Sequence, residues 1–180
     1  MTDYNKQEDN LTNMPGPANT LTPAQLCRQT AIEYIGLGGK SSGKVRQKLE
    51  SHGFDHEIIT ACIAKLREDD YINDGALASR IIRDRRGRRA ESHLALIQRM
   101  QNQGIPVQAA ETAVYNEALS DYELLLEYLQ ERGSKELAEM SVYEPYSPEF
   151  QSLLGRLGRR AEGRGFSAGM IRRAVQELIT

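Results

Sequence analysis

Residues 80–106 read RIIRDRRGRRAESHLALIQRMQNQGIP, and two patterns overlap in them. Apolar side chains recur at helical spacing on both sides of a central break, from Ile81 to Met100. The break itself carries arginines against only one acid, Asp84. This stretch therefore predicts a helical hairpin that buries one face and offers an arginine-rich hinge to an anionic partner.

A template of helix, glycine and helix fits the sequence three times. Gly53, Gly104 and Gly165 each follow an amphipathic segment, are followed at once by Phe or Ile, and precede a second amphipathic segment. Glycine is the residue that ends a helix most cheaply in the left-handed conformation. The pattern predicts an all-α fold of three tandem three-helix repeats. Because each unit is too small to bury a robust core alone, the units should stack into an elongated, curved molecule.

The predicted boundaries follow from composition and from helix start signals. Residues 1–20 are polar and predict a disordered tail, and Thr22 and Gln25 form a capping box at the first helix. The three repeats are expected at residues 21–74, 75–119 and 120–180. Their first helices are expected over about 22–36, 75–88 and 120–133. The third repeat is the longest, and its segment 134–148, with two prolines, predicts a loop insertion.

Composition excludes several classes of protein. Hydrophobic residues make up 39% and charged residues 27% of the chain, and no apolar run is long enough for a membrane span. The N-terminus lacks the basic start and apolar core of a secretory signal. Cys27 and Cys62 are isolated and have no metal or redox spacing. These features predict a cytoplasmic monomer with two reduced core thiols.

Motifs that approach known chemistry fail on inspection. Residues 38–44, GGKSSGK, nearly match a phosphate loop, but a helix precedes them and Val45 stands where a hydroxyl is needed. His52 and His56 are separated by a helix-breaking glycine, which prevents joint binding of a metal. No Ser/His/Asp or Cys/His arrangement is discernible. The sequence therefore predicts a protein that is not an enzyme and has no catalytic, cofactor or metal site.

Two arginine clusters flank the second helices of repeats two and three and predict a basic face. They consist of Arg80, Arg83, Arg85, Arg86, Arg88 and Arg89, and of Arg156, Arg159, Arg160, Arg164, Arg172 and Arg173. Arginine suits bidentate contact with phosphates and carboxylates. A merely solvated helix face is the other interpretation, although such a face usually mixes Lys with Glu at pairing distance.

Short segments of the chain, taken in order, resemble the RecX family of regulatory proteins of the RecA recombinase. They are Asp69-Asp70-Tyr71, Leu77-Ala78, Arg85-Arg86-Gly87, Met100 followed by Gly104-Ile105, and Arg164-Gly165-Phe166. The resemblance covers residues 21–180. It implies a curved, three-repeat helical protein that binds the RecA–DNA filament within its groove. It also implies a protein without a catalytic site that limits filament growth and lowers ATPase, strand-exchange and co-protease activities.

On this resemblance the first arginine cluster becomes the face that binds the RecA filament on DNA, and the second cluster extends it. Weak direct binding to DNA is a further expectation. The alternative is a free-standing helical protein that binds nucleic acid without sequence preference. That alternative predicts a salt-sensitive DNA affinity that is as strong without RecA as with it.

Overall fold

A computed structural model describes residues 21–179, which form α-helices joined by turns and contain no β-strand. The predicted all-α fold of helical repeats is confirmed, whereas the predicted tail at 1–20 lies outside the described residues. None of these helices has the length and apolar character that a membrane span requires. The helices are α1 (Pro23–Ile35), α2 (Ser42–Ser51), α3 (His56–Glu68), α4 (Asp74–Asp84), α5 (His93–Asn102), α6 (Val107–Glu117), α7 (Asp121–Arg132), α8 (Ser134–Met140), α9 (Pro148–Glu162) and α10 (Ala168–Ile179).

The helices form three consecutive units. Unit 1 (residues 23–68) contains α1 to α3, unit 2 (residues 74–117) contains α4 to α6, and unit 3 (residues 121–179) contains α7 to α10. The buried apolar residues form two separate clusters. One lies within unit 1 around Leu49, and the other is shared by units 2 and 3 around Met100. Unit 1 therefore joins the rest of the protein without a common apolar core.

The three template glycines end the second helices as the sequence predicts. Gly53, Gly104 and Gly165 have φ angles of +77°, +79° and +89°. In each case the amide of the following Phe or Ile donates to the carbonyl five residues back, at 3.0–3.4 Å. The acceptors are Leu49, Met100 and Ala161. This closes the helix with its last carbonyls satisfied, which is the Schellman arrangement.

Unit 1 contacts unit 2 where the start of α2 meets the end of α5. Ser41, the N-cap of α2, donates its hydroxyl to the carbonyl of Gln103 at 2.6 Å. The amide of Gly43 donates to the carbonyl of Gly104 at 3.0 Å. The amide of Ser42 donates to the carboxylate of Asp74, the first residue of α4, at 2.9 Å. This junction is thus held by backbone and polar groups.

Units 2 and 3 repeat this arrangement. The start of α5 meets the end of α9, where the amide of Ser92 donates to the carbonyl of Arg164 at 3.0 Å. The amide of His93 donates to Asp121 at 2.6 Å, and Asp121 opens α7 just as the corresponding acceptor opens α4. The second helices of the three units therefore follow one another in space in the order α9, α5, α2.

Proline occupies the corresponding position at each end of this array. Where units 2 and 3 begin with aspartate, unit 1 begins with Pro23, which offers no carboxylate to a preceding unit. Where α2 and α5 begin with an amide donor, α9 begins with Pro148, which has no amide hydrogen. Neither proline can therefore form the hydrogen bond that the corresponding aspartate or amide forms between units.

Unit 3 departs from the predicted loop insertion at 134–148. Its first half is α8, which packs against α9 and α10 with Leu137 and Met140 buried. The loop prediction was wrong for this half, because Pro145 and Pro148 exclude helix only near themselves and have no influence ten residues earlier.

The helix predicted over 75–88 is also shorter in the structure and ends at Asp84. Gly87 adopts a φ of +54°, and its amide donates to the carboxylate of Glu127 at 3.1 Å. The amide of Arg88 donates to Glu131 at 3.2 Å. Carboxylates of α7 therefore hold the arginine-rich hinge, Gly87–Arg89, as a separate 3-10 turn.

Candidate functional site

A buried carboxylate, Glu91, joins arginines of units 2 and 3. Its side chain is only 6% exposed and accepts two hydrogen bonds from Arg99, at 2.7 Å from Nε and 2.6 Å from Nη2. Arg85 approaches the same carboxylate to 3.8 Å, and Arg164 approaches it to 3.6 Å. The structure thus brings together one member of each predicted arginine cluster, Arg85 and Arg164.

The surroundings of Glu91 carry excess positive charge, because three guanidinium groups share one carboxylate. The hydrogen bond to Glu91 raises the pKa of Arg99 further above its already high value. Arg99 and Gln103 line two adjoining clefts, one with Arg80 and Arg85 and the other with Arg164. We call this region the junction clefts. A carboxylate or phosphate entering them would meet several cations at once.

Arg86 lies in the middle of the first cluster, but its guanidinium group is hydrogen-bonded to a carboxylate of the protein itself. Its Nε donates to Glu127 at 2.9 Å and its Nη2 donates to the other oxygen of the same carboxylate. Arg86 thereby holds the pKa of Glu127 below its usual value. Because this bidentate pair fixes the hinge against α7, we assign Arg86 a structural role.

Four other arginines of the first cluster are exposed and have no carboxylate within 4.0 Å in the described part of the chain. They are Arg80 and Arg83 on α4, and Arg88 and Arg89 on the hinge. The carbonyl of Arg89 accepts a hydrogen bond from Arg164 at 3.3 Å, which ties the hinge to unit 3. These guanidinium groups are therefore available to an external anion beside the junction clefts.

The second cluster is divided among several surroundings. Arg156, Arg159 and Arg160 line one cleft with Glu136, and Arg160 donates to Glu136 at 2.5 Å. Arg159 also lines a neighbouring cleft with Arg172. On α10 the next residue, Arg173, lies instead over the ring of Tyr122, 5.0 Å from its centroid. A role in binding stays a prediction for each of these residues.

Sequence reasoning missed Arg99, the cation that forms two hydrogen bonds with Glu91. It lies on α5, outside the dense arginine run, and nothing in a linear pattern marks it as the partner of Glu91. The spacing of eight residues between the two is a weak signal, since it corresponds to about two helical turns only if both lie on one helix. Glu91 in fact precedes α5.

The phosphate-loop-like segment has its amides engaged elsewhere. The amides of Ser42, Gly43 and Lys44 donate to Asp74, to the carbonyl of Gly104 and to the Ser41 hydroxyl. Such amides would have to be free to cradle a phosphate. This segment therefore serves the junction between units 1 and 2.

Among residues 21–179, no three His, Cys, Asp or Glu side chains are grouped so as to hold a metal ion. Cys27 and Cys62 are buried in unit 1, and burial raises the pKa of Cys27 to about 12. A thiol with so high a pKa is almost entirely protonated and therefore a poor nucleophile.

Comparison with known proteins gives sequence matches of limited extent and a close structural match. The model of "RecX, first three-helix domain" matches residues 27–66, which lie in unit 1. Regulatory protein RecX from Clostridium botulinum is 36% identical over 59 residues, which are 33% of this chain and 28% of that protein. This chain therefore matches less than a third of that relative's length.

A second relative extends the similarity to most of the chain. Regulatory protein RecX from Prosthecochloris aestuarii is 25% identical over 150 residues, which are 83% of this chain and 91% of that protein. The crystal structure of RecX from Lactobacillus salivarius has a TM-score of 0.69 at 20% identity, and the match covers 87% of this chain and 96% of the other. That structural likeness shows a shared fold. Taken with the sequence matches, it shows that this chain is similar to RecX regulatory proteins in sequence and in fold.

Proposed function

We propose that this protein binds the RecA filament on DNA and restrains it, without catalysing a reaction of its own. Bound in this way, it would limit filament growth and lower the ATPase, strand-exchange and co-protease activities of RecA. The observation that carries the proposal is the meeting of guanidinium groups from units 2 and 3 at the junction clefts. Similarity to RecX regulatory proteins in sequence and in fold supports it.

The composition of this surface supports recognition of a large anionic partner. The clefts around Arg99 are lined by residues of units 2 and 3, and Arg164, which lines one of them, donates to the carbonyl of Arg89 on the exposed hinge. Guanidinium groups form paired hydrogen bonds with phosphates and with carboxylates. A filament of protein on DNA presents both kinds of anion along an extended surface.

Binding rather than catalysis also agrees with the hydrogen bonds of the buried acid at the junction. Glu91, the buried carboxylate of the junction, is already held by Arg99 in two hydrogen bonds. Both oxygens of that carboxylate are therefore occupied by a side chain of the protein itself. The junction thus gathers cations around a buried acid that is already hydrogen-bonded.

The test is inhibition of the DNA-stimulated ATPase of RecA by the full chain and by an arginine variant. The wild-type protein should inhibit at ratios up to about equimolar. Replacing Arg83, Arg88 and Arg89 with glutamine should raise the amount needed at least ~10-fold, because charge-assisted contacts are lost from the interface. These residues have no carboxylate partner within the described chain, so the melting temperature should change little.

A matched control removes the same charge elsewhere. The control variant replaces Lys65, Arg132 and Lys135, which are exposed, with glutamine. It should inhibit like the wild type. Equal loss of inhibition in both variants, or no inhibition by the wild-type protein, would contradict the proposal. Co-sedimentation with DNA that is equally strong with and without RecA would favour the free-standing nucleic-acid-binding protein instead.

A further inference from the structure

Unit 1 carries a basic patch that the sequence alone did not indicate. Lys40, Lys44 and Lys48, here called the lysine patch, lie just before α2 and along it. No carboxylate in the described part of the chain lies within 4.0 Å of their ammonium groups. Glu33 on α1 and Glu50 on α2 are exposed and form no ion pair with these lysines. Within residues 21–179 the positive charge of the patch is therefore not balanced by an ion pair.

An aromatic ring holds two of these lysines together. The ammonium groups of Lys40 and Lys48 each lie 5.8 Å from the centroid of the Tyr34 ring. Lys44 and Lys48 are four residues apart and share one side of α2, an arrangement in which like charges repel. The three side chains are half-buried, so they are positioned by their surroundings. An external anion would relieve this repulsion, which no carboxylate among the described residues offsets.

The lysine patch adjoins the junction clefts. Ser41, which stands between Lys40 and Lys44, donates to the carbonyl of Gln103 at 2.6 Å. Gln103 also lines both junction clefts, next to Arg99. The neighbourhood of the lysine patch and the junction clefts thus meet at Gln103. We call the lysines and the cleft arginines together the basic strip, since they border the junction of units 1 and 2 and the junction of units 2 and 3.

We propose that the lysine patch binds the phosphate backbone of a nucleic acid directly and forms the unit 1 end of this strip. Lysines one helical turn apart are separated by about 6 Å along α2. One strand of duplex DNA carries a phosphate at every ~3.4 Å of its axis, so cations with this spacing can reach neighbouring phosphates. Lysine acts as a point charge, so the contact would be independent of base sequence. This site goes beyond the proposed function, since its ligand is nucleic acid without RecA.

The experiment measures binding of the full chain to a fluorescently labelled DNA oligonucleotide by anisotropy over a salt series. One variant replaces Lys40, Lys44 and Lys48 with glutamine, and a rescue variant replaces them with arginine. The control is the variant with glutamine at positions 65, 132 and 135. Each lost phosphate contact should reduce the log–log salt slope by about 0.7 to 0.9, so three contacts should reduce it by about 2.

The glutamine variant should also bind roughly tenfold or more weakly at low salt, while the rescue and control variants keep the wild-type slope. Equal slopes for the glutamine variant and the control would overturn the proposal, as would an absence of DNA binding by the wild-type chain. Polyglutamate that displaced the protein from DNA as efficiently as unlabelled DNA would also overturn it, because an acidic protein surface would then be the better ligand.

These outcomes are separable from those of the RecA assay. The lysine variant leaves the hinge arginines intact, and the arginine variant leaves the lysine patch intact. Loss of DNA binding with normal inhibition of RecA would support the lysine site alone. Loss of inhibition by the arginine variant, with an unchanged DNA salt slope in the lysine variant, would overturn the lysine site and leave the proposed function standing.

Discussion

Replacing Gly165 with alanine should destabilise the protein far more than the same change at Gly53. Both glycines have left-handed backbones, with φ of +89° and +77°. An alanine pays about 1–2 kcal/mol for that conformation at either position. At Gly165 the new Cβ would also lie 2.2 Å from Oγ of Ser92 and 3.2 Å from Cβ of Ala95, whereas at Gly53 it would meet nothing within 4 Å.

The additional cost at Gly165 arises at the junction of units 2 and 3. Ser92 would have to move, and its hydroxyl caps α5 by accepting from the amide of Ala95. Loss of a cap costs about 1 kcal/mol and an overpacked contact about 1–3 kcal/mol. We therefore expect losses in the free energy of unfolding of about 1–2 kcal/mol at Gly53 and about 3–6 kcal/mol at Gly165.

Urea denaturation followed by circular dichroism would measure this difference. Gly53 is the natural control, because it has the same backbone conformation and the same place in its unit. Gly104 provides a further comparison, since a Cβ there would lie 2.7 Å from Oγ of Ser41 and 2.9 Å from the amide nitrogen of Lys44. Similar losses at Gly53 and Gly165 would show that the junction tolerates a side chain and that the close approach is not required.

Replacing Glu91 with glutamine should cost about 2–3 kcal/mol of unfolding free energy. The carboxylate is 6% exposed and accepts both hydrogen bonds from Arg99. A glutamine offers one carbonyl oxygen and no charge, so three guanidinium groups would be left facing one another. Removal of one partner from a buried ion pair is costly because the remaining charge stays desolvated.

A double-mutant cycle with Arg99→Gln would isolate this interaction. The double variant should lose less stability than the two single variants together, because the second change removes the charge that the first leaves unpaired. Glu139→Gln is a suitable control, since Glu139 is exposed and lies in no ion pair within residues 21–179. Additive losses, or a loss at Glu91 no larger than at Glu139, would show that Glu91 does not hold the junction together.

Features that depend on a few neighbouring residues could be predicted from the sequence. The capping box at Thr22 and Gln25, the full extent of α2 and the left-handed glycines all follow from hydrogen bonds that span three to five residues. Recurrence of such local signals gave the three-repeat, all-α fold. The arginine clusters were likewise visible as composition. What they could not show was how each arginine is used.

Only the tertiary structure decided which cations are free. Arg86 is held by Glu127, 41 residues away, and Arg85, Arg99 and Arg164 gather on Glu91 from two different units. Charge pairing of this kind depends on distances across the fold. The sequence of one helix therefore does not indicate which acid will lie opposite its arginines. For the same reason the lysine patch could not be predicted from the sequence, where its members are four residues apart. The fold places two of them at the ring of Tyr34 and the patch beside the junction of units 1 and 2.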